Sequence, residues 1–262
     1  MNILLTNDDG IHAPGLKIAR EIANSIAGKG GKVIIVAPAS EQSGVAHSIS
    51  YVRPSLIERI EKNTYSIEGT PADCVLAGID YVMNGKKPDL IISGVNRGQN
   101  IAEDVLYSGT IGAAMEGAIH GVKSIALSQS YSKKSMKSVD LFDSARKCAV
   151  KVCKKLLLDN PFSGKYFSGF YNINFPACKA DQVRGVKVCK TGLRHENTFS
   201  ISSQISPTGK TFLWVNHNPT SSIPSPKSDG AYLKAGYVTI SALQTELNWI
   251  EKNRHLKSLF EE

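Results

Sequence analysis

Two adjacent acids, Asp8 and Asp9, follow directly on a short apolar run, Asn2–Thr6. The next residues, Asn7-Asp8-Asp9-Gly10, are polar and turn-forming. In an open α/β sheet, ligands bind beyond the carboxyl ends of the strands. Two carboxylates at such a strand end are costly unless they hold a cation or pair with a base. A hard divalent cation resolves that cost and brings Lewis-acid chemistry with it. Two further strand-like runs end in comparable stretches, Ala37-Pro38-Ala39-Ser40-Glu41-Gln42-Ser43-Gly44 and Ser93-Gly94-Val95-Asn96-Arg97-Gly98-Gln99-Asn100. Carboxylates, a hydroxyl and an amide then converge on one sheet edge, an all-oxygen set that suits Mg²⁺, Mn²⁺ or Ca²⁺ better than a soft metal. Tyr107-Ser108-Gly109-Thr110-Ile111-Gly112 opens a helical pattern. Free backbone N–H groups at a helix start favour an anion such as phosphate, although plain N-capping by Ser108 is an equally open reading. Gly44 and Gly98 would let further backbone amides approach that anion. Metal and anion together point to phosphoryl hydrolysis, with Asn96 and backbone amides meeting the equatorial charge. His12 and His47 fall close enough in sequence to be candidates for protonating a leaving alkoxide, beside a purely structural reading of each.

The elements that must hold these residues alternate. Strand patterns at Asn2–Thr6, Lys32–Ala37, Asp89–Ser93 and Ser124–Ser128 are rich in Ile, Leu and Val without clean alternation, as in strands buried on both faces. Helix patterns lie between them. Pro14–Ala27 carries Leu16, Ile18, Ala19, Ile22, Ala23 and Ile26 at helical spacing. Thr70-Pro71-Ala72-Asp73 combines a capping hydroxyl, a first-turn proline and an acid three residues on. Thr110–His120 is a third helix, and Ser50–Ile67 reads as a β excursion. This alternation predicts an α/β fold built on a doubly wound, mostly parallel Rossmann-like sheet.

The second half supplies a helix over Val139–Leu158 and strands at Tyr171–Phe175 and Gly185–Cys189. Thr198–Ser206 and Lys210–Asn216 flank a Pro207-Thr208-Gly209 turn, the pattern of a hairpin. Asn218–Ser228 reads as a loop, Gly236–Ala242 as a last strand and Glu246–Phe260 as a terminal helix. The division expected is a catalytic core over residues 1–190 and an extension over 191–262 with the arm, the last strand and the helix. A projecting hairpin and terminal helix predict self-association. Trp214 and Trp249 read as packing residues.

Composition narrows the alternatives. The chain has 262 residues and a net charge of +8, with its lysines dispersed, as at Lys133, Lys134 and Lys137 or Lys151, Lys154 and Lys155. Such runs read as solvated surface, and no interleaving of basic and aromatic residues marks a nucleic-acid interface. Five scattered cysteines without Cys-x-x-Cys spacing argue against a disulfide framework or zinc site and fit a reducing cytoplasm. The apolar runs are too short to span a bilayer, and the N-terminal strand does not read as an export signal. Gly209-Lys210-Thr211 lacks the glycine a phosphate-binding loop needs at position 204, which is Gln204. The dinucleotide fingerprint, the Gly-x-Ser-x-Gly elbow and the His-Glu-x-x-His motif are all missing. Adjacent aspartates cannot project both carboxylates alike, which disfavours an aspartyl-phosphate route. A metal-binding regulatory module and a nucleic-acid-binding protein remain the non-enzyme rivals.

The blocks resemble the SurE family of nucleotidases. They are Leu5-Thr6-Asn7-Asp8-Asp9-Gly10-Ile11 with Pro14-Gly15, Val36-Ala37-Pro38 with Ser43-Gly44, and Gly69-Thr70-Pro71-Ala72-Asp73-Cys74-Val75. Ser93 to Asn100, Tyr107-Ser108-Gly109-Thr110 and Ala114-Met115-Glu116-Gly117 follow in the family's order. Asn172-Ile173-Asn174-Phe175-Pro176 and Gly236-Tyr237-Val238-Thr239-Ile240 extend the likeness. The resemblance implies a metal-dependent phosphomonoesterase acting on nucleoside 5′- and 3′-monophosphates; whether short polyphosphate is a further substrate is left open by the sequence. It implies one Mg²⁺ or Mn²⁺ on Asp8, Asp9, Ser43 and Asn96, and catalysis by Asp8, Asp9 and Asn96. Substrate contacts would come from Gly44, Asn96, Ser108, Gly109 and Thr110, in a homodimer or homotetramer. The chain departs from the family pattern at Gln99, where proline is usual, and at Ala39-Ser40-Glu41-Gln42, where many members have Asp-Arg-Asn.

Overall fold

The computed structural model describes residues 1–133, 135–137, 140–158, 169–193, 199–217, 225–248 and 250–260. Its elements, in chain order, are β1 (Asn2–Thr6), α1 (Pro14–Ala27), β2 (Lys32–Pro38), β3 (Ile57–Glu61), β4 (Thr64–Ile67), α2 (Pro71–Ala77), β5 (Leu90–Arg97), α3 (Asp104–Tyr107) and α4 (Gly109–Ile119). Then come β6 (Ser124–Gln129), α5 (Asp143–Leu158), β7 (Gly169–Phe175), β8 (Val186–Val188), β9 (Phe199–Ile205), β10 (Thr211–His217), α6 (Asp229–Lys234), β11 (Val238–Gln244) and α7 (Ile250–Phe260).

Nine strands form one sheet in the order β3-β4-β2-β1-β5-β6-β7-β11-β8. The run from β4 to β7 is parallel, and the antiparallel pairs are β3 with β4 and β7 with β11. Alternate side chains of each central strand enter opposite cores. Ile3, Leu5, Ile35, Ala37 and Ile92 pack with Leu16, Ile22 and Ala145 of α1 and α5. Leu4, Ile34, Val36 and Ile91 pack with Val75 of α2 and Ala113 of α4. Burial on both faces explains why these strands read as continuous apolar runs. The chain leaves β1 through α1 to β2 on one side, then crosses back through α2 to β5 on the other. Beyond β1 and β5 the strand order therefore reverses, which opens a crevice.

Several expectations shift. Ser50–Ile67 does hold β structure, the antiparallel pair β3 and β4, but β4 also pairs with β2, so the excursion extends the main sheet. The strand expected over Asp89–Ser93 continues to Arg97, with a register irregularity between Ser93 and Asn96. Such an irregularity re-aims the side chains beyond it, here Asn96. The last strand, grouped by sequence with the extension, lies inside the nine-stranded sheet between β7 and β8. Helix α6 and the π-helical turn Gly78–Val82 were not foreseen. The hairpin forms as expected, β9 and β10 pairing from Phe199↔His217 to Ile205↔Thr211 in a sheet of their own. Trp214 does not pack: it is 57% exposed. Trp249, Lys134 and most of the loop expected over Asn218–Ser228 fall outside the described residues. Lys133, Lys151, Lys154 and Lys155 are exposed, and the five cysteines are free thiols. Among the described residues no helix is long and apolar enough to cross a membrane.

Candidate functional site

The crevice at the ends of β1 and β5 contains the aspartate pair. Asp8 is buried, and its carboxylate accepts from Thr110 twice: from the backbone N–H at 3.0 Å and from the hydroxyl at 2.5 Å. Its own carbonyl accepts from the Gln42 N–H at 2.7 Å, which draws the loop after β2 to the end of β1. Asp9 is partly exposed and accepts from the Arg97 N–H at 3.0 Å, which fixes the end of β5. The pair thus ties together three strand ends and the start of α4. Glycine at 109 permits the last approach, since a Cβ there would lie 3.0 Å from both the Asp8 Cβ and the Pro71 Cγ. Gly15 serves the other face: a Cβ there would lie 1.9 Å from the Val95 carbonyl oxygen, so α1 could not start so close to β5.

Burial pushes the Asp8 carboxyl up to about 6, against the two Thr110 bonds that favour its ionised form, with the Asp9 charge adding to the rise. Burial also raises Asp9, and the Glu41 charge raises it further, while the Arg97 amide and guanidinium pull it down. Next to the pair, the Asn7 side-chain oxygen is buried without a hydrogen-bond partner, while its amide donates to the Gly10 carbonyl at 2.9 Å. A crevice with two destabilised carboxylates and an orphaned amide oxygen is short of positive charge and of donors. A hard cation fits that need.

The other residues singled out by sequence lie around the pair in different states. Ser43 is exposed, on the loop held by Gln42, and its hydroxyl donates to Glu41 Oε1 at 2.7 Å. Asn96 donates from Nδ2 to the Gly98 carbonyl at 3.0 Å, a bond that leaves its oxygen as the end suited to a cation. Gly44 has a positive φ of 77° and open space where a Cβ would be. The Ser108 hydroxyl caps α4 by accepting from the Ile111 N–H at 3.2 Å, and the Ser108 carbonyl takes the Gly112 N–H. Capping at Ser108, left open by the sequence, is therefore present. Thr110 is committed to Asp8, and among the described residues the Gly109 N–H, also in the first turn, has no such engagement to another group of the site. Among the described residues, no three of His, Cys, Asp or Glu gather into a metal-ligating group. A cation here would have to rest on two acids and neutral oxygens.

The histidines are placed differently from their sequence candidacy. His12 is exposed. His47 meets Glu116 of α4 at 2.5 Å, and His120 meets the same carboxylate at 3.1 Å, so His47 is occupied one helical turn and more beyond the helix start. Thr70 and Asp73 form the expected capping box, but they also hold the loop after Ser43: Thr70 donates to the Ser48 carbonyl at 2.6 Å and Asp73 accepts from the Ser50 hydroxyl at 2.6 Å. Sequence reading missed the buried amide network behind the site. Asn174 accepts from the Asn100 N–H at 2.8 Å, Asn172 donates to the Asn100 carbonyl at 2.8 Å, and Asn100 donates to Ser128 at 2.9 Å. The visible signal was Asn172 and Asn174 at i and i+2 in a strand, hence on one face.

Comparisons with known proteins converge. The family described as "Survival protein SurE" matches residues 3–198. A protein of Cereibacter sphaeroides named 5′-nucleotidase SurE is 43% identical over 259 residues, covering 99% of each chain. One of the same name from Ruegeria pomeroyi is 44% identical over 247 residues, covering 94% of this chain and 95% of the relative. The crystal structure of the SurE protein from Aquifex aeolicus superposes with a TM-score of 0.81 at 33% identity, covering 99% of both chains.

Proposed function

The chain belongs to the SurE family, and from that premise we propose that it is a metal-dependent phosphomonoesterase that releases phosphate from nucleoside 5′- and 3′-monophosphates, with short polyphosphate as a further substrate. The relatives' shared name, 5′-nucleotidase, supports the substrate class. The single observation that carries the reading is the buried Asp8 carboxylate beside Asp9 at the strand-order reversal, facing the start of α4. Asp8, Asp9, Ser43 and Asn96 would hold one Mg²⁺ or Mn²⁺. When bound, such a cation supplies charge to a phosphate oxygen and acidifies a water.

The chain's own groups do the rest. Asp9, less buried than Asp8, accepts a hydrogen bond from the attacking water and orients it towards phosphorus. The Asn96 amide and the Gly109 N–H donate to equatorial phosphate oxygens, and Gly44 lets the loop backbone close on the same anion. Ser108 and Thr110 hold the start of α4 in place and, with Gly109, would line the phosphate. Residues 1–190 with β11 form the catalytic core; the remainder of 191–262 supplies the arm and terminal helix of a homodimer or homotetramer. Location in the cytoplasm accords with the five free thiols.

The test is phosphate release from a panel of 5′- and 3′-nucleotides with Mn²⁺, with Mg²⁺ and with EDTA. Turnover that needs the metal supports the proposal. A folded, metal-loaded chain that releases no phosphate from any nucleotide refutes it.

A further inference from the structure

A cavity of about 510 Å³ lies beyond the carboxyl ends of β5, β6 and β7, lined in part by Gln99, Ser130, Tyr131, Cys178, Asp229 and Leu233. That volume falls in the range of small-molecule pockets, roughly 300–1,000 Å³. It adjoins the carboxylate site through one residue. A Cβ on Gly98 would lie 3.6 Å from Asn96 Nδ2 on one side and 3.8 Å from the Tyr131 ring on the other. Asn96 belongs to the crevice and Tyr131 to the cavity, so a ligand with its phosphate at the first would place its next group in the second.

The cavity is preformed. Asp229 is fully buried at its back and accepts backbone N–H groups of Ala102 at 3.1 Å, Gly192 at 2.8 Å and Gly230 at 2.7 Å, which joins three separate segments of its wall. Tyr131 is 46% exposed, so part of its ring is open to a ligand. Beside it, Ser130 donates to Gln99 Oε1 at 2.8 Å. That bond uses the acceptor end of the Gln99 amide and leaves the two-hydrogen donor end for a ligand's acceptor. An aromatic face next to an oriented amide is a pairing suited to a flat heterocycle with polar edges.

We propose that this cavity takes the nucleoside part of the substrate, with Tyr131 stacking on the base and the Gln99 amide donating to an acceptor on the base edge. The assignment of a nucleoside rests on the function proposed above, through the adjacency to the phosphate site.

Nucleosides without phosphate provide a test that does not depend on turnover. Adenosine, guanosine, cytidine and uridine are titrated into the full chain by calorimetry, with Tyr131→Ala, Tyr131→Phe and Gln99→Ala alongside. Loss of a stacking partner weakens binding about tenfold in Tyr131→Ala. Tyr131→Phe keeps the ring and binds as wild type, and Gln99→Ala narrows the differences between the four nucleosides. Affinity unchanged in Tyr131→Ala, or no saturable binding of any nucleoside by wild type, overturns the proposal. A chain that binds nucleosides through Tyr131 yet releases no phosphate leaves the cavity's assignment standing and refutes the phosphatase reading alone.

Discussion

The β1–β5 crevice and the β9–β10 hairpin are opposites in how they treat polarity. In the crevice, the two carboxylates are drawn partly or wholly out of water and each is held from another element: Asp8, buried, by Thr110 and Asp9, half-buried, by Arg97. In the hairpin, apolar groups are exposed, with Phe212, Leu213, Trp214 and Val215 each more than half accessible. Consecutive residues of a strand point to opposite faces, so both faces of this arm are open. A lone two-stranded ribbon is marginal in water, and an exposed apolar patch of this kind marks a contact surface. The carboxylates of the crevice find their hydrogen-bond donors within one chain, whereas the apolar side chains of the arm have no cover among the described residues. Phe199 at the start of β9 lies edge-on to Tyr107, 5.1 Å between centroids, next to the cap of α4.

The largest effect should come from removing the charge the crevice is built around. Asp8→Asn keeps an acceptor for Thr110 but no anion, and phosphate release should fall by about 10³-fold or more, the scale of losing a principal electrostatic group. The metal-free variant should melt no lower than wild type at pH 8, because it no longer buries an ionised carboxylate. Activity close to wild type in this variant would break the contrast at once.

Acid titration sharpens the same contrast. The folded Asp8 carboxyl titrates at about 6, above its ordinary 3.8, so the folded metal-free chain holds that proton more tightly than the unfolded chain does. Stability should be greatest below pH 4 as far as this group is concerned. It should fall as pH rises from about 4 through about 6, by on the order of 3 kcal/mol. Denaturant melts of wild type and Asp8→Asn over that window isolate the contribution. Metal affinity should run the other way, weakening below about pH 6 as the proton competes.

On the arm, the double substitution Phe212→Ser and Trp214→Ser should weaken self-association by about 30-fold or more, the scale of losing central aromatic anchors. It should change the stability of the isolated chain by less than about 0.5 kcal/mol, since these side chains are exposed. Sedimentation against concentration measures the first and a melt of dilute protein the second; an arm that packs on its own chain would reverse the two. The smallest expected effect is that of Thr110→Val, which removes the hydroxyl from Asp8 at nearly constant shape. Support of a ligand by an outer hydrogen bond is worth about tenfold in metal affinity, and a Mn²⁺ titration reads it.

Much of this organisation is written in local sequence. The Pro14–Ala27 helix is legible because its apolar spacing coincides with one buried face, and the Thr70 cap because three residue types at fixed spacing make one motif. The aspartate pair stood out because polar groups directly after a buried strand have nowhere ordinary to go. The rest depends on distant partners that spacing cannot reveal. That Thr110 would face Asp8, or that Glu116 would engage both His47 and His120, follows only once α4 is set against β1 and the loop after β2. The reach of β5 to Arg97 was hidden by Gly94, which punctuates the sequence without ending the strand. Strand β11 joins the main sheet although it follows the arm in sequence, because Ser241↔Asn172 and its neighbouring pairs are set by long-range packing, not by chain order.

The claim that the Asp8–Asp9 crevice is a cation site is tested most directly by counting Mn²⁺ bound per chain at pH 8, from the free-ion paramagnetic resonance signal, in wild type and in Asp8→Asn. One ion per chain is expected in wild type and none at the same free concentration in the variant. Equal binding by both proteins would contradict it and place the metal elsewhere on the chain.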